Sequence, residues 1–494
     1  MKSNRLEKYY LKYLTVVLLS MVYFFMPTNN ADADSWYYAS CVKHKTELFN
    51  SHHLLYNCIG LLFHQFFQLF YPKIEALNSL FIMNAGFGIS TFLVFRKTLN
   101  HLNISSNVSS YLAFIACSSF GFMRYATDAE TYVIPIFLSI TSLYFYVKKS
   151  QQSDINLYLA GLFSALAILV HEVQLWWAIS MAVHAFLKRK DRRYAGYKFC
   201  ILLLLVPLAY GLVYQLTSHS ASSFINFIAG EYKRGGANIN TSLNSVVLTL
   251  INSFRSFIQI HGRITVLLSK HSFPFTLAIL LVLFFAIRGL FFKTALRLKR
   301  SPSRTLILFP LLAITLHVFF AFVSSGNAEF LVMLPFLTVL LFGLILEFDN
   351  GKIIGNIGIA IFIWNLVFGI MPANQFDLGN NSKQIKLSSQ DTQKYYLWKN
   401  KALVENRLTY ESGFKSRPYL LSPKAIDTAS INKLLLSNRV IITDWINEDG
   451  PLSRSSFVRN EEFKRLDNIY KIALLDSFEN LSGKNFIARI EGKR

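Results

Sequence analysis

Two aspartates closely follow the first apolar run of the chain. They lie in Asp32-Ala-Asp34-Ser-Trp-Tyr-Tyr38, a few residues after a run that ends near Met26. A carboxylate placed at a membrane surface can accept a proton from an acceptor hydroxyl, which is the role of a general base. The competing interpretation is a solvated polar loop, and two aspartates alone do not decide between the two.

Paired histidines continue this region. His52 and His53 lie in Phe49-Asn-Ser-His-His-Leu-Leu-Tyr56, where an apolar pattern of helical period begins. A neutral imidazole offers one donor and one acceptor, so it can orient a phosphate or a sugar hydroxyl at the membrane surface. A histidine that merely begins a helix is the alternative.

A second acidic segment reads Arg124-Tyr-Ala-Thr-Asp128-Ala-Glu130-Thr-Tyr132 and lies between two apolar runs. Carboxylates near membrane depth are costly and usually functional. If the segment were helical, Arg124 and Asp128 would face each other four residues apart and could simply pair. We expect Asp128 and Glu130 to belong to a site or to support one directly.

A polar group also ends a later apolar run, in Leu169-Val-His171-Glu172-Val-Gln174-Leu-Trp-Trp177. Polar residues bunched beside tryptophans at interfacial depth indicate the lining of a polar cavity. The spacing differs from H-E-x-x-H, which excludes the zinc-hydrolase interpretation.

Basic residues suited to a phosphate group occur near these acidic segments. Besides Arg124, they are Lys233 and Arg234, which stand between glycines, and Arg263 in the same long segment. Arginine and lysine make charge-assisted hydrogen bonds to phosphate oxygens. A flexible connector is an equally good explanation of the glycine-flanked pair.

The bulk composition shows which elements must carry these residues. Of 494 residues, 53% are hydrophobic and 45 are Phe, a combination too apolar for one soluble domain. The net charge of +22 would suggest nucleic acid in a soluble protein. Here the basic residues cluster in short loops between apolar runs, as membrane orientation requires, so no nucleic-acid partner is expected.

About eleven apolar segments are long enough to cross the roughly 30 Å hydrocarbon core of a bilayer. They cover residues 11–26, 76–94, 108–123, 132–147, 157–170, 173–187, 199–216, 273–291, 306–323, 330–346 and 353–371. The sequence therefore predicts an all-α polytopic membrane protein, with a small soluble α+β domain at the C-terminus.

Loops rich in Lys and Arg fix the orientation, because they remain on the cytoplasmic side. The basic loops are at residues 2–12, 96–97, 148–149, 188–198, 293–304 and 352. The N-terminus is expected in the cytoplasm and the C-terminal domain outside it, in a bacterial inner or plasma membrane.

Residues 1–372 are expected to form the transmembrane domain, with long external loops at residues 28–75 and 217–272. Within these loops, residues 53–71 and 243–261 have interrupted apolar patterning of helical period, which predicts helices lying in the membrane interface. Residues 373–494 are expected to form the extracytoplasmic soluble domain. Its alternating and helical runs, at residues 439–443 and 431–436, indicate an α+β fold.

This order of features resembles the C-type (GT-C) superfamily of integral membrane glycosyltransferases, which includes protein O-mannosyltransferases and the aminoarabinose transferases of lipid A. The resemblance rests on the acidic first external loop with its Asp34-Ser…His53-Leu-Leu-Tyr56 continuation, the second acidic loop at Asp128-Ala-Glu130, the polar end at His171-Glu172 and the soluble tail. It covers about the first 370 residues.

The resemblance implies that the first-loop carboxylate is the catalytic base, which falls on Asp34, with Asp32 as the second candidate. It implies that Asp128 and Glu130 support acceptor or metal binding. It also implies polyprenyl- or dolichyl-phosphate sugar donors and an inverting displacement. The sequence identifies no definite cofactor, and a divalent metal is compatible with this picture, although no metal-ligand set is evident in the sequence.

The expected function is therefore a hexosyl or pentosyl transfer from a polyprenyl-phosphate donor to an extracytoplasmic lipid, glycan or protein acceptor, in contact with membrane lipids. Asp34 would deprotonate the acceptor. Donor-phosphate contacts are expected from Arg124, Lys233, Arg234 and Arg263, and acceptor support from Asp128, Glu130, His52, His53, His171 and Glu172. The alternative is a lipid-linked sugar flippase without bond chemistry, whose polar residues would gather at the bilayer midplane.

Overall fold

Two groups of chain segments make up the structure, which is a computed structural model. The first unit contains Met1–Pro27, Glu47–Ile260 and Ser272–Met371, and the second contains Thr28–Thr46, His261–His271 and Pro372–Arg494. The structure describes residues 2–148, 154–187, 192–217, 223–233, 241–260, 263–291, 296–299, 304–348, 351–379, 381–423, 426–446, 466–481 and 483–494.

Most of the described chain is helical. The α-helices are α1 (Lys2–Phe25), α2 (Ala33–His44), α3 (Tyr56–Phe70), α4 (Ala76–His101), α5 (Ser106–Cys117), α6 (Phe120–Ala126), α7 (Val133–Val147), α8 (Asp154–Val170), α9 (Leu175–Leu187), α10 (Arg192–Leu203), α11 (Leu205–Thr217), α12 (Phe224–Lys233), α13 (Leu243–Phe257), α14 (Arg263–Lys270), α15 (Ser272–Phe291), α16 (Arg304–Val323), α17 (Leu334–Ile345), α18 (Lys352–Asn365), α19 (Met371–Gln375), α20 (Ser382–Gln390), α21 (Lys401–Ser412), α22 (Thr428–Leu436) and α23 (Leu466–Ile469). Short 3₁₀ turns occupy Glu172–Gln174 and Ala328–Leu331, and a π turn occupies Leu366–Ile370. The strands are β1 (Leu296–Leu298), β2 (Leu346–Phe348), β3 (Tyr395–Leu397), β4 (Ile441–Thr443), β5 (Tyr470–Asn480) and β6 (Gly483–Lys493).

Helices that are long and apolar enough to cross a membrane number six among the described residues. They are Ala76–His101, Tyr194–Thr217, Ser272–Gly289, Leu306–Val323, Ala328–Ile345 and Lys352–Gln375. The predicted spans all coincide with helical structure, because only a helix satisfies every backbone group of such an apolar run from within. Length and composition do not decide whether the shorter helices cross the membrane as well, so the count of eleven stays a prediction.

The predicted span at residues 108–123 is two helices, α5 and α6, that meet at Ser118 and Ser119. The Ser119 hydroxyl donates to the carbonyl of Ala116 at 2.6 Å, a local bond that competes with the helical ladder. The buried amide of Asn365 then compensates for the break, because it donates to the carbonyls of Ser118 and Phe257, each at 2.8 Å. One asparagine therefore joins the helix break to the C-terminal end of α13.

Aromatic packing fills the centre of the first unit. The ring of Phe336 lies 4.9 Å from that of Phe122 and 5.3 Å from that of Phe95. The Tyr23 hydroxyl donates to the carbonyl of Cys117 at 2.6 Å. A Cβ on Gly88 would lie 2.9 Å from the Tyr23 ring, so α4 approaches α1 closely only because this position is glycine. Close packing of this kind, more than hydrophobicity, holds helices together in lipid.

The second unit contains the predicted α+β fold. Its four-stranded sheet has the order β3-β4-β6-β5, with β3 parallel to β4 and the other pairs antiparallel. Ile441 of β4 and Ile490 of β6 are buried in one core with Ile431 of α22. The predicted strand and helix at residues 439–443 and 431–436 correspond to β4 and α22, which confirms both.

Two segments from the predicted external loops belong to this second unit: residues 28–46, with α2, and residues 261–271, with α14. The sequence pattern predicts no helix around Asp32, but α2 begins at Ala33 and Asp32 is its N-cap. Aspartate is among the preferred N-cap residues, since its carboxylate accepts from backbone N–H groups of the first turn. The helices predicted at residues 53–71 and 243–261 are present as α3 and α13, and their placement in the interface stays a prediction.

Candidate functional site

The second acidic segment is buried in the first unit. Helix α6 ends at Ala126, so Arg124 and Asp128 do not share a helical face, as the pairing alternative would require. Asp128 and Glu130 are 3% and 4% exposed. One carboxylate oxygen of Asp128 accepts from the backbone N–H of Ala129 at 2.8 Å. Two carboxylates are thus held in a short connection between α6 and α7.

Asn84, in the middle of α4, holds this connection in place. Its side-chain amide donates to the carbonyls of Asp128 and Glu130, each at 2.7 Å, and Asn84 itself is fully buried. The backbone of the acidic segment is therefore fixed at both carboxylate-bearing residues. Sequence reasoning missed Asn84, although a lone amide inside an apolar span is a signal for such a role.

Tyr56, the first residue of α3, lies beside the same group. Burial raises the pKa of its phenol well above the usual value, and the carboxylates of Glu130 and then Asp128 raise it further. The Asn84 side chain acts in the opposite direction. Tyr56 thus stays a neutral hydroxyl next to the acidic segment, where it can donate to a carboxylate or a ligand oxygen.

The histidine pair and the polar end of α8 come together. His52 Nδ1 lies 2.8 Å from the carboxylate of Glu172, although 120 positions separate the two residues. The backbone N–H of Leu55 donates to the carbonyl of Leu169 at 2.9 Å and holds the two segments side by side. Two separate sequence signals therefore form one cluster.

His171 is the most enclosed of these imidazoles, at 3% exposure. Its Nδ1 accepts from the backbone N–H of Val173 at 3.2 Å, which places the proton of the neutral ring on Nε2. Burial, followed by the neighbouring His53, His52 and His317, holds the pKa of His171 well below its usual value. Its Nε2 has no hydrogen-bond partner within the part of the chain that the structure describes. The ring therefore presents a buried N–H donor.

Contacts between aromatic rings connect His171 to the acidic segment. The centroid of the His171 ring lies 4.4 Å from that of His53 and 4.8 Å from that of Tyr132, the last residue before α7. The Tyr132 hydroxyl donates to the Glu329 carboxylate at 3.1 Å. Glu329 adds a further carboxylate, from the 3₁₀ turn before α17. The side chain of Asn327 reaches the same carboxylate oxygen at 3.3 Å.

The first-unit cluster therefore contains Asp128, Glu130, His52, His53, His171 and Glu172, all of which the sequence singled out. Carboxylates, imidazoles and phenols form a set that can accept from and donate to hydroxyl groups. Among the described residues, no three His, Cys, Asp or Glu are arranged to hold a metal ion.

Asp32 and Asp34 lie in the second unit, at the beginning of α2. One oxygen of the Asp32 carboxylate accepts from the backbone N–H groups of Asp34 and Ser35, each at 3.1 Å. The Asp34 side chain is exposed. The two aspartates thus differ in role, because Asp32 caps the helix while Asp34 projects from its first turn.

Of the predicted phosphate ligands, Arg124 is described in full. It is half-buried in α6, and its guanidinium lies 5.1 Å from the centre of the Tyr125 ring. Lys233 ends α12 and Arg263 begins α14, and the side chains of both lie outside the described residues, as does all of Arg234.

The fold of the chain is GT-C-like, and six of its described helices are long and apolar enough to cross a membrane. The structure is similar to the crystal structure of ArnT from Cupriavidus metallidurans bound to undecaprenyl phosphate, with a TM-score of 0.53 over 97% of each chain and 9% sequence identity. It is also similar to the apo oligosaccharyltransferase of Archaeoglobus fulgidus, with a TM-score of 0.53, 9% identity, and coverage of 97% of this chain and 74% of that one. No family model and no curated protein matches the sequence.

Proposed function

We propose that this protein is a membrane glycosyltransferase that moves a sugar from a polyprenyl-phosphate donor to an acceptor on the non-cytoplasmic side. The observation that carries the proposal is the first-unit cluster, in which segments far apart in sequence come together: the histidine pair contacts His171 and Glu172, and His171 contacts Tyr132, which follows the buried Asp128 and Glu130. Burying such groups is expensive unless they are used or paired. The likeness in fold to ArnT bound to undecaprenyl phosphate supports a lipid-phosphate donor.

In the proposed reaction, Asp34 takes the proton of the acceptor hydroxyl as its oxygen attacks the anomeric carbon of the donor. The bond between that carbon and the phosphate oxygen breaks, and the lipid phosphate leaves with the electron pair and the negative charge. Arg124, with Lys233, Arg234 and Arg263, would stabilise this charge. The exposed position of Asp34 on the first turn of α2 suits a base better than Asp32, whose carboxylate caps the helix.

The first-unit cluster is proposed to bind sugar hydroxyls. Neutral His171 would donate from Nε2, and the carboxylates of Asp128, Glu130 and Glu172 would accept. His52 and His53 would orient this group from the segment before α3. Whether the sugar is a hexose or a pentose is left to experiment.

Eleven membrane crossings are proposed, with the N-terminus in the cytoplasm of a bacterial cell and the second unit outside it. The basic loops support this orientation. Protease added to intact cells should then remove the C-terminal domain. Cleavage of this domain only after lysis would contradict the topology.

The transfer itself is tested with the full-length protein in lipid nanodiscs. A panel of undecaprenyl- and dolichyl-phosphate sugars, each labelled in the sugar, is incubated with a membrane extract as the source of acceptor. Labelled sugar in a new glycosidic bond, in the presence of wild type only, is the expected result. Movement of labelled lipid across proteoliposomes without any new glycosidic bond would instead identify a flippase.

A further inference from the structure

The segment before α2 is fixed to the chain that follows α18. The Asn30 amide donates to the carbonyls of Ala373 and Phe376, at 2.7 and 2.8 Å, and its oxygen accepts from the backbone N–H of Leu378 at 2.7 Å. Both polar atoms of this side chain therefore bind backbone groups of residues 373–378. The entry to α2 is anchored within the second unit.

Helix α2 itself packs along α21 of the C-terminal domain. The Asn406 amide donates to the carbonyl of Ala33, the residue before Asp34, at 2.8 Å. The Arg407 guanidinium lies 4.2 Å from the centre of the Trp36 ring, two residues after Asp34. Contacts therefore flank Asp34 on both sides along the chain.

The far end of α2 is held by the same helix. His44 Nε2 lies 3.1 Å from the carbonyl of Thr409, and the Lys43 ammonium lies 4.1 Å from the centre of the Tyr410 ring. Thr409 and Tyr410 belong to the last turn of α21. Contacts at both ends of α2 thus hold it along α21 and fix its rotation about its own axis.

Helix α21 is a rigid support for this purpose. Val404 and Leu408 are buried in the core of the second unit, with Ile442 of the sheet. Arg417, itself buried, donates to the carbonyls of Leu408 and Gly413 at 3.0 Å each and so caps the C-terminal end of the helix. A helix anchored to the sheet and capped in this way can transmit a fixed position to α2.

We propose that the C-terminal domain serves to position Asp34, with Asn406 and Arg407 as the positioning residues. Asn406 fixes the backbone immediately before Asp34, and Arg407 fixes the rotation of the first turn through Trp36. This inference rests on the proposed role of Asp34 as the base. The C-terminal domain thereby gains a role in catalysis, although the buried carboxylates of Asp128 and Glu130 belong to the first unit.

The test uses the full-length protein in nanodiscs and the donor on which wild type is active. Asn406→Ala and Arg407→Ala should each lower kcat on the order of 10²-fold, because a misplacement of about 1 Å can cost that much. The KM for the donor and the binding of undecaprenyl phosphate should stay within about twofold, since neither residue is proposed to contact the lipid. Arg407→Lys keeps a cation over Trp36 and should recover most of the rate.

Two further measurements separate positioning from folding. Hydrogen exchange of the amides in α2 should rise in Asn406→Ala while the melting temperature stays near that of wild type. Lys433→Ala, on the exposed face of α22, is the matched control and should change neither quantity.

An unchanged kcat in Asn406→Ala and Arg407→Ala would overturn the inference, and so would a loss of rate that only follows a loss of folded protein. If Asp34→Asn retained full transfer, both the base assignment and the inference would fail. Loss in Asp34→Asn with full rates in the α21 variants would overturn the inference alone.

Discussion

The two acidic regions use the same residue type in opposite ways. Asp128 and Glu130 are buried in the first unit, and a neighbouring helix fixes their backbone through Asn84. Asp34 is exposed in the second unit, where a helix start and an N-cap determine its direction. The first arrangement stabilises charge at a fixed place, whereas the second leaves a carboxylate accessible to exchange a proton. The proposed roles, support for Asp128 and Glu130 and proton transfer for Asp34, therefore rest on environment more than on residue identity.

The largest expected effect tests the exposed side of this comparison. Asp34→Asn should lower transfer on the order of 10²–10⁴-fold, because a positioned base contributes that much, while undecaprenyl phosphate still binds. Initial rates of label incorporation at equal protein level measure the change.

Asp32 supplies the matched control. Asparagine caps a helix about as well as aspartate, so Asp32→Asn should be nearly silent, whereas Asp32→Ala should cost about 1 kcal/mol of stability. A large loss of transfer in Asp32→Asn, with Asp34→Asn active, would exchange the two roles.

The buried side is tested through Asn84. Asn84→Leu leaves the carbonyls of Asp128 and Glu130 without their donor, which should cost about 1–3 kcal/mol for each. We expect a lower melting temperature in detergent together with reduced transfer. Asn356→Leu is the control, because that amide donates within its own helix to the carbonyl of Lys352. Equal effects of the two substitutions would show that the Asn84 bonds have no special role.

Acid should destabilise the first unit through its histidines. Burial and the nearby His52 lower the pKa of His53 from 6.5 to about 3. The unfolded chain then binds a proton that the folded chain does not, so stability present above pH 6.5 should be lost as the pH falls from there toward 3. Melting curves at stepped pH measure the loss, which His53→Gln should reduce. If the stability of His53→Gln falls equally steeply with falling pH, His53 is not the source of the loss.

The smallest effect concerns the bond between Tyr132 and Glu329. Tyr132→Phe keeps the ring in contact with His171 and removes only the hydroxyl, at a cost of about 1.5–3 kcal/mol for a bond to a carboxylate, less where water replaces it. A modest fall in melting temperature with transfer largely retained is expected. Complete loss of transfer would instead place Glu329 or Tyr132 in contact with substrate.

The sequence by itself determined the long apolar helices, the α+β tail and most of the polar residues of the first-unit cluster. Apolar runs of span length specify helices locally, and charged or imidazole side chains beside such runs are costly enough to stand out. The sequence singled out His52 and Glu172 separately but could not pair them, because nothing local relates residues that lie 120 positions apart. Asn84 remained unnoticed because a lone amide, although a signal for such a role, scarcely changes an apolar pattern.

Only the tertiary structure decided that α2 packs with the C-terminal domain. The sequence placed residues 28–75 in one external loop of the membrane domain, yet residues 28–46 group with the second unit. The contacts responsible join positions more than 340 residues apart, such as the amide of Asn30 and the carbonyl of Ala373. Hydropathy and spacing report how a segment relates to solvent and to its own neighbours. The choice of partner depends on complementary packing and hydrogen bonding, which exist only once the chain has folded.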